Sequence, residues 1–519
     1  MGKRLVAIVE IGSTGIRLLV AEIEGRFWKI LDRAGRPAVL GRDVFTTGEL
    51  TRESFLECLS VLHNYRELLT GWGIANENIH VIATSALRAA RNRDVFIDRI
   101  QLETGFTVRI VEGIEENRLM YLAVRFALKH DFPLFWRANS MIMEVGGGST
   151  EIMLLRRGQM VAAHSLRLGT IIIDQRSRFK MGISTERYLN ESIRNTSGIL
   201  NAEMDLASVR SLVAAGSDAR LAAEQAGSDL NEHCKIIKRE DFLAFAQKIH
   251  SYSIEECVNK LHISYSDADG FIPGIMVLKL SLEQTNASTL IVPLISIREG
   301  YLIDLVLGVD AEMQEEFFIQ ITASAVSLGK KFHYDEAHSK HVANLCMVLF
   351  DALVKEHGMN RRQRMMLEIA AILHDIGVFI RGSGHQKHSQ YIVENSEIFG
   401  LHSGEISLIA NVIRYHRGDP PSQSDIEYMS LQREERILVL KMVSLLRVAD
   451  ALDRGHSQRI KKISLEQRSE TLIIHTRDLG SDNDGKFNAP PMDISLERIG
   501  IEEKAGLFQE VFGYRVILN

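Results

Sequence analysis

Short apolar runs alternate with longer amphipathic segments through the first 309 residues. The runs at residues 5–9, 79–83 and 108–111 have the length of buried strands. Between them, residues 51–71 repeat apolar side chains at helical spacing, and Thr51 can cap the first turn. Because alternating strands and helices are typical of α/β proteins, this pattern predicts an α/β fold.

The spacing becomes helical almost throughout from residue 312 to about residue 451. Segments 368–374 and 437–450 place apolar residues at i, i+3 and i+4. Alternation typical of strands returns after residue 453. We therefore predict an all-α domain followed by a small α+β unit. The predicted domains span residues 1–125, 126–309, 310–455 and 456–519.

Two glycine turns follow predicted strands and carry the strongest chemical signal. Three consecutive glycines, residues 146–148, lie between Glu144 and Glu151. Without a Cβ, their backbone amides can approach a ligand closely. A weaker version begins at Glu10, 134 positions earlier, which suggests a duplicated unit. Such turns flanked by acids suit a Mg²⁺-bound phosphate, because amides bind the anion and carboxylates bind the ion or its waters.

Each turn contributes candidate ligands, although a tight turn without a ligand is the alternative for either. The residues expected to cradle the phosphate are Gly12, Ser13, Thr14, Gly146, Gly147, Gly148 and Ser149. The candidate Mg²⁺ contacts are Glu10, Glu144 and Glu151, which could otherwise be solvated acids at strand ends.

Composition narrows the class of protein. At 519 residues the chain is too long for one core, and its net charge of −6 offers no global attraction for nucleic acid. Four scattered cysteines fit a reducing cytoplasm, and we expect a cytoplasmic protein. No apolar run of about 18 residues occurs, so no membrane span or signal peptide is expected.

Several motifs, in this order, resemble one family. They are Ile11-Gly12-Ser13, Ala83-Thr84-Ser85-Ala86-Leu87-Arg88, Gly113-Ile114-Glu115-Glu116-Asn117-Arg118, Gly146-Gly147-Gly148-Ser149-Thr150-Glu151, Leu166-Arg167-Leu168-Gly169 and Arg298-Glu299-Gly300. Their order and spacing resemble the exopolyphosphatase / guanosine pentaphosphate phosphohydrolase family.

The resemblance implies two actin-like domains of the RNase H and sugar-kinase type, with the active cleft between them. It implies Mg²⁺-dependent hydrolysis of the terminal phosphate of inorganic polyphosphate, commonly by a homodimer. By the same resemblance Glu116 is the general base and Arg88 contacts phosphate, with Arg17 a weaker candidate. On spacing alone, Glu116 would more often be a first-turn acid that complements the helix dipole.

The sequence departs from the family's pattern at three places. Glu10 and Glu144 stand where the family usually has Asp, Thr14-Gly15 replaces Asn-Ser, and Gly216-Ser217-Asp218 replaces Gly-Gly-Thr. Glu is one methylene longer than Asp, which shifts an ion that requires near-octahedral geometry. We expect the reaction class to hold, with an altered rate or chain-length preference.

The helical region carries a second set of polar residues. His338, His374-Asp375 and Asp450 occur in an order that resembles the HD metal-dependent phosphohydrolase superfamily. Two imidazoles and two carboxylates suit a divalent transition metal that activates water. The alternative is that the region is a relic that shapes a polyanion channel and a dimer.

Three further histidines are candidates near this set. His388 and His416 could support a second ion, and His341, nearly one turn after His338, is the alternative first ligand.

Other functions remain open at this level. Guanosine pentaphosphate is the alternative substrate, because the same clamp would hold its 5′-triphosphate. A sugar-kinase-like phosphotransferase would share the two turns but would need an adenosine pocket near Gly216. A third possibility is a polyphosphate- or alarmone-binding sensor whose chemistry lies in the helical region.

Overall fold

The computed structural model describes residues 2–38, 40–128, 132–179, 185–307, 311–476 and 493–519. These residues form two compact units, 1–320 and 321–519. The finer division into four domains stays a prediction. Among the described residues, no helix has the length and apolar character needed to cross a bilayer.

The first sheet of the N-terminal unit has five strands. They are β1 (Arg4–Ile11), β2 (Gly15–Glu24), β3 (Phe27–Pro37), β4 (Ile79–Ala83) and β5 (Val108–Ile110). Their order is β3-β2-β1-β4-β5, antiparallel from β3 to β1 and parallel from β1 to β5. The accompanying helices are α1 (Leu40–Thr47), α2 (Arg52–Gly71), α3 (Ser85–Ala89), α4 (Arg93–Thr104), α5 (Gly113–Leu128) and α6 (Pro133–Arg137).

The second sheet has seven strands. They are β6 (Asn139–Val145), β7 (Thr150–Arg156), β8 (Gln159–Leu166), β9 (Val209–Ala215), β10 (Ser228–Asn231), β11 (Cys234–Lys238) and β12 (Thr289–Pro293). The helices are α7 (Thr170–Phe179), α8 (Thr185–Asn201), α9 (Ser217–Ala226), α10 (Arg239–His250), α11 (Ile254–Leu261), α12 (Tyr265–Glu283) and α13 (Ile297–Leu307), followed by α14 (Ala311–Lys331).

The two sheets repeat one topology. Within the second sheet, β8-β7-β6-β9-β12 has the order and the strand directions of β3-β2-β1-β4-β5, and β11 and β10 extend its far edge. The interior strands β1 and β6 are buried along most of their length. The duplication suggested by the two glycine turns is therefore visible in the fold.

The second unit is mostly helical. Its helices are α15 (Glu336–Ala352), α16 (Val354–His357), α17 (Arg361–Leu373), α18 (His385–Glu394), α19 (Ser403–Arg414), α20 (Ile426–Ser430), α21 (Arg433–Ala451), α22 (Ser495–Lys504) and α23 (Gly506–Phe512). A small sheet contains β13 (Ile463–Arg468), β14 (Thr471–Thr476) and β15 (Arg515–Leu518). The predicted α/β class of the first part and the helical region after it are confirmed.

Candidate active site

Each glycine turn joins the central strand of its sheet to the neighbouring antiparallel strand. The Gly12 amide donates a hydrogen bond to the Gly15 carbonyl oxygen at 2.9 Å, and the Gly146 amide donates to the Ser149 carbonyl oxygen at the same distance. Because β1 and β6 occupy equivalent places in the two sheets, the turns occupy equivalent places as well.

The two turns meet each other directly. A Cβ atom on Gly147 would lie 3.0 Å from the Ser13 Cβ and 3.3 Å from the Thr14 Cγ2. Such close approach leaves little space for a side chain at position 147. In the part of the chain that the structure describes, the amides of Ser13, Thr14, Gly147 and Gly148 have no hydrogen-bond partner. Unpaired amides that converge from two turns are suited to an anion.

A cavity of about 340 Å³ opens between the turns. The predicted residues in its wall are Glu10, Gly12, Ser13, Thr14, Glu116, Glu144, Gly146, Gly147, Ser149 and Glu151. Arg17 also lines it. Two predicted residues, Gly148 and Arg88, are not part of the wall. Gly148 packs instead against Phe45 and Ser85, which leave no room for a Cβ.

The Glu10 carboxylate lies between two arginines. Its Oε1 is 3.7 Å from the Arg17 Nη1, and its Oε2 is 3.3 Å from the Arg298 Nε. Strand register pairs Glu10 with Arg17, whereas Arg298 arrives from the start of α13. The sequence showed Arg298 only as part of a family motif, and assigned it no role.

Glu116 lies in the first turn of α5 and is almost fully buried. Both terminal nitrogens of Arg88 donate to its Oε2 at 3.1 Å, and Arg88 Nη1 also donates to the Val111 carbonyl oxygen at 2.6 Å. Burial raises the pKa of Glu116 to about 7, although the Arg88 guanidinium opposes that rise. The structure therefore places Arg88 as a partner of the predicted base.

Glu144 and Glu151 are opposite each other on β6 and β7. Burial raises the pKa of Glu144 to about 7, and repulsion from Glu116 and Glu10 adds to the rise. Burial also raises the pKa of Glu151 well above its usual range. Glu151 already accepts hydrogen bonds from the Ser165 Oγ at 2.8 Å and the Asn117 Nδ2 at 3.2 Å. It is therefore less available to an ion than Glu144.

The carboxylates of the cavity fit a divalent cation. Burial and mutual repulsion disfavour their charged forms, and a bound cation would relieve that repulsion. Across the described ranges, no three of these carboxylates bring oxygen atoms within 4.8 Å of one another. That spread suits Mg²⁺, which usually uses one or two carboxylates and completes its shell with phosphate oxygens and water.

Among the cavity residues to which the sequence assigned no role are Asp218 and Arg220. Both lie at the start of α9, directly after β9. Burial raises the pKa of Asp218 to about 7 and lowers the pKa of Arg220. The signal was present in the sequence, because Ser217 and Arg220 repeat the spacing of Ser85 and Arg88.

In the second unit, the four predicted residues of the HD-like site converge. The Nε2 atoms of His338 and His374 lie 3.2 Å apart. The Asp450 Oδ1 is 3.6 Å from the first and 3.8 Å from the second. The Asp375 Oδ2 is 3.8 Å from the His338 Nε2. These groups come from α15, from the end of α17 and from α21.

Two more histidines lie on the other side of Asp375. Its Oδ1 is 2.9 Å from the His385 Nε2 and 3.4 Å from the His416 Nε2, and these two nitrogens are 3.2 Å apart. His416 was expected here, but the partner is His385 rather than His388. His388, three residues further along α18, forms no ion pair with Asp375 within 4.0 Å among the described residues. His341, the alternative to His338, has a buried Nε2 without a hydrogen-bond partner among the described residues.

Hydrogen bonds at Nδ1 orient three imidazole rings of this cluster. Three Nδ1 atoms lie 2.7–2.9 Å from backbone carbonyl oxygens, His374 from Ala371, His385 from Gly382 and His416 from Ile413. A carbonyl can only accept, so Nδ1 carries the proton and a neutral ring presents an Nε2 lone pair. This is the usual orientation of imidazole ligands of metals.

Comparison with known proteins agrees with the motifs. The Ppx/GppA phosphatase family matches residues 19–308, and Ppx/GppA phosphatase, domain III, matches residues 321–479. A guanosine-5′-triphosphate,3′-diphosphate pyrophosphatase of Pseudoalteromonas translucida is 22% identical over 100% of this chain and 99% of its own length. A protein of the same name from Photobacterium profundum is 23% identical over 91% of each chain.

A solved structure shows the shared fold. An exopolyphosphatase from Cytophaga hutchinsonii superposes with a TM-score of 0.54 at 19% identity, over 59% of this chain and 98% of that one. The matches confirm the resemblance drawn from the motifs and the predicted enzyme class, a hydrolase acting on phosphoric anhydrides. The chain belongs to the Ppx/GppA phosphatase family.

Proposed function

We propose that the cavity between the two glycine turns hydrolyses the terminal phosphate of inorganic polyphosphate with Mg²⁺. The observation that carries this proposal is the convergence of unpaired amides from both turns beside Glu116. Guanosine pentaphosphate is the close alternative substrate, because its 5′-triphosphate presents the same anionic end. Relatives that bear the pyrophosphatase name support the alternative, and the Cytophaga fold neighbour bears the exopolyphosphatase name.

In this proposal Glu116 accepts the proton of the attacking water. The water oxygen bonds to the terminal phosphorus, the bond from phosphorus to the bridging oxygen breaks, and the shortened chain leaves as an anion. A base with a pKa of about 7 accepts a proton at neutral pH and can release it afterwards. Arg88 fixes the carboxylate through two hydrogen bonds to Oε2, which orients it in the cavity wall.

Glu10 and Glu144 would hold the ion. When bound, Mg²⁺ would neutralise charge on the transferring phosphoryl group. Arg17 and Arg298 hold Glu10 from both sides, which orients its carboxylate. Glu151 is then a positioning residue, since its hydrogen bonds to Asn117 and Ser165 connect β7 to α5 and β8.

A phosphate-release assay with polyphosphate and with guanosine pentaphosphate tests the proposal and ranks the substrates. We expect Glu116→Gln to lower kcat by about 100-fold or more, because it removes the base but keeps the shape. The matched control is Glu115→Gln, whose carboxylate pairs with Arg109 at 2.8 Å and does not line the cavity. Release that is equal in both variants would contradict the assignment of Glu116.

For the second unit we propose a metal centre of the HD type. His338, His374, Asp375 and Asp450 would bind one divalent transition metal, and Asp375, His385 and His416 would bind a second. Two lone-pair nitrogens 3.2 Å apart repel each other unless a cation or a proton lies between them, and this occurs twice in the cluster. First-row transition metals prefer imidazole more than Mg²⁺ does.

Metal analysis of the purified protein tests this centre without relying on activity. We expect His385→Ala to retain one ion fewer per chain than the wild type. His388→Ala, in the same helix but outside the cluster, should retain the wild-type number. Equal metal content in both variants would reject the second ion, and unchanged content in His374→Ala would reject the centre. Phosphate release that is lost in His374→Ala but kept in Glu116→Ala would instead favour catalysis in this unit.

A homodimer and a cytoplasmic location are proposed only from the family resemblance and from the four free, buried cysteines. Size-exclusion chromatography with light scattering would test the dimer.

A further inference from the structure

The internal repeat relates two arginines of the N-terminal unit. In the first half, Arg88 is the fifth residue after the end of β4, and in the second half Arg220 is the fifth residue after the end of β9. A serine follows each strand at the second position, Ser85 and Ser217. Strands β4 and β9 occupy the same place in their sheets. The duplicated topology thus places one arginine at the same position in each half, where Arg220 lines the cavity and Arg88 contacts Glu116 of its wall.

The two arginines differ in their contacts. Arg88 is fully engaged, since both terminal nitrogens bind Glu116 and one also binds the Val111 carbonyl oxygen. The Arg220 guanidinium lines the cavity and makes no hydrogen bond or ion pair with any described residue. Partial burial of a guanidinium without an acidic partner is costly. An unpaired guanidinium that lines a cavity is suited to bind an anion there.

The other charged groups of the cavity do not satisfy Arg220. Arg17 and Arg298 are paired with Glu10. Glu144 is the acid whose charge most favours the charged form of Arg220, although the two groups form no ion pair within 4.0 Å. Glu144 is also a proposed ligand of the metal ion. A bound cation would neutralise the Glu144 carboxylate, which would then no longer balance the charge of Arg220.

We propose that Arg220 binds a phosphate group of the substrate and that it is the cleft's counterpart of Arg88 in the second half. This proposal rests on the proposed hydrolysis of condensed phosphates. A planar guanidinium can make two parallel hydrogen bonds to phosphate oxygens, which a lysine cannot reproduce. The ligand class is therefore an inorganic or nucleoside oligophosphate. In this assignment Arg88 orients the base, and Arg220 takes the phosphate contact that the motif assigned to Arg88.

Calorimetric titration with tripolyphosphate and Mg²⁺ tests the assignment. All variants are prepared in a Glu116→Gln background, so that the ligand is not consumed. We expect Arg220→Ala to weaken binding by about 10- to 100-fold, the range for loss of charge-assisted hydrogen bonds. The matched control is Arg210→Ala, which removes an exposed arginine from β9 and should change affinity less than about twofold.

The outcomes separate this inference from the proposed function. If the wild type releases phosphate but Arg220→Ala binds tripolyphosphate as tightly as Arg210→Ala, the role of Arg220 is wrong and the proposed function stands. If the Glu116→Gln protein with Arg220 in place binds no tripolyphosphate, the inference is also wrong. If the wild type releases no phosphate but Arg220→Ala in the Glu116→Gln background still loses tripolyphosphate binding, the inference stands and hydrolysis is wrong.

A second substitution guards against misfolding of Arg220→Ala. Arg220→Lys keeps the charge and most of the volume but loses the two-pronged geometry. We expect it to fold and to weaken tripolyphosphate binding by about 3- to 10-fold. Wild-type affinity in Arg220→Lys and in Arg220→Ala together would overturn the proposal.

Discussion

Gly169→Ala should slow turnover in the cleft without replacing any proposed ligand. Gly169 packs against the backbone of Gly147 and Gly148, and an added Cβ would lie less than 3.0 Å from those atoms. Ordinary contact begins at 3.4 Å, so the second glycine turn must move by several tenths of an ångström or more. Backbone cannot rotate away as a side chain can, and the displacement therefore reaches the phosphate site.

The turn cannot move alone, which makes the effect large. The amides of Thr170 and Ile171, at the start of α7, donate to the carbonyl oxygens of Gly146 and Gly147 at 2.9 and 3.0 Å. A displacement of about 1 Å in a catalytic site costs about 100-fold in rate, so we expect a loss of about 10- to 100-fold in kcat. Overpacking should also lower the free energy of unfolding by about 1–3 kcal/mol.

Phosphate release and thermal unfolding measured together check this prediction. The control is Gly198→Ala in α8, where an added Cβ meets nothing within 4 Å. That change should leave the rate unaltered and raise the free energy of unfolding by about 0.5–1 kcal/mol, because alanine is the better helix former. Wild-type turnover in Gly169→Ala would refute the claim that both turns bind one phosphate.

Three further predictions follow from the charged groups. Without Mg²⁺, the melting temperature of the wild type relative to that of Glu144→Gln should fall as pH rises from about 4.5 to about 7, because the raised pKa of Glu144 favours a folded state with a protonated carboxylate; Mg²⁺ should weaken this fall. Glu144→Asp, which restores the family's usual residue, should raise kcat at saturating Mg²⁺, and an unchanged kcat would show that the longer side chain does not limit turnover. Lys504→Met should lower the free energy of unfolding by about 3 kcal/mol in metal-free protein, because the buried Asp450 carboxylate loses its lysine partner; unfolding curves that superpose on the wild type would contradict this.

The repeat also shows how one topology yields two different half-sites. Strand register pairs Glu10 with Arg17 in the first half and Glu144 with Glu151 in the second. The position opposite the first glutamate is therefore occupied by an arginine in the first half and by a buried glutamate in the second. The first half can neutralise its own carboxylate, whereas the second half relies on protonation or on a bound ion.

The local pattern of residues was sufficient to predict the helices, the strands and the phosphate-binding chemistry of the two glycine turns. Apolar runs, helical spacing and consecutive glycines act over a few residues, so the α/β class, the helical region and the two phosphate turns could be predicted from the order of residues. The family motifs extended this to Glu116 and to the four HD-like residues.

Tertiary structure decided which side chain faces which partner. Arg88 is turned to Glu116 and Arg220 to the cavity, although both follow a strand at the same spacing. His385 rather than His388 reaches Asp375, and Glu151 is occupied by Ser165 and Asn117. Such outcomes depend on packing between segments far apart in the chain, and spacing along one helix or strand does not contain that information.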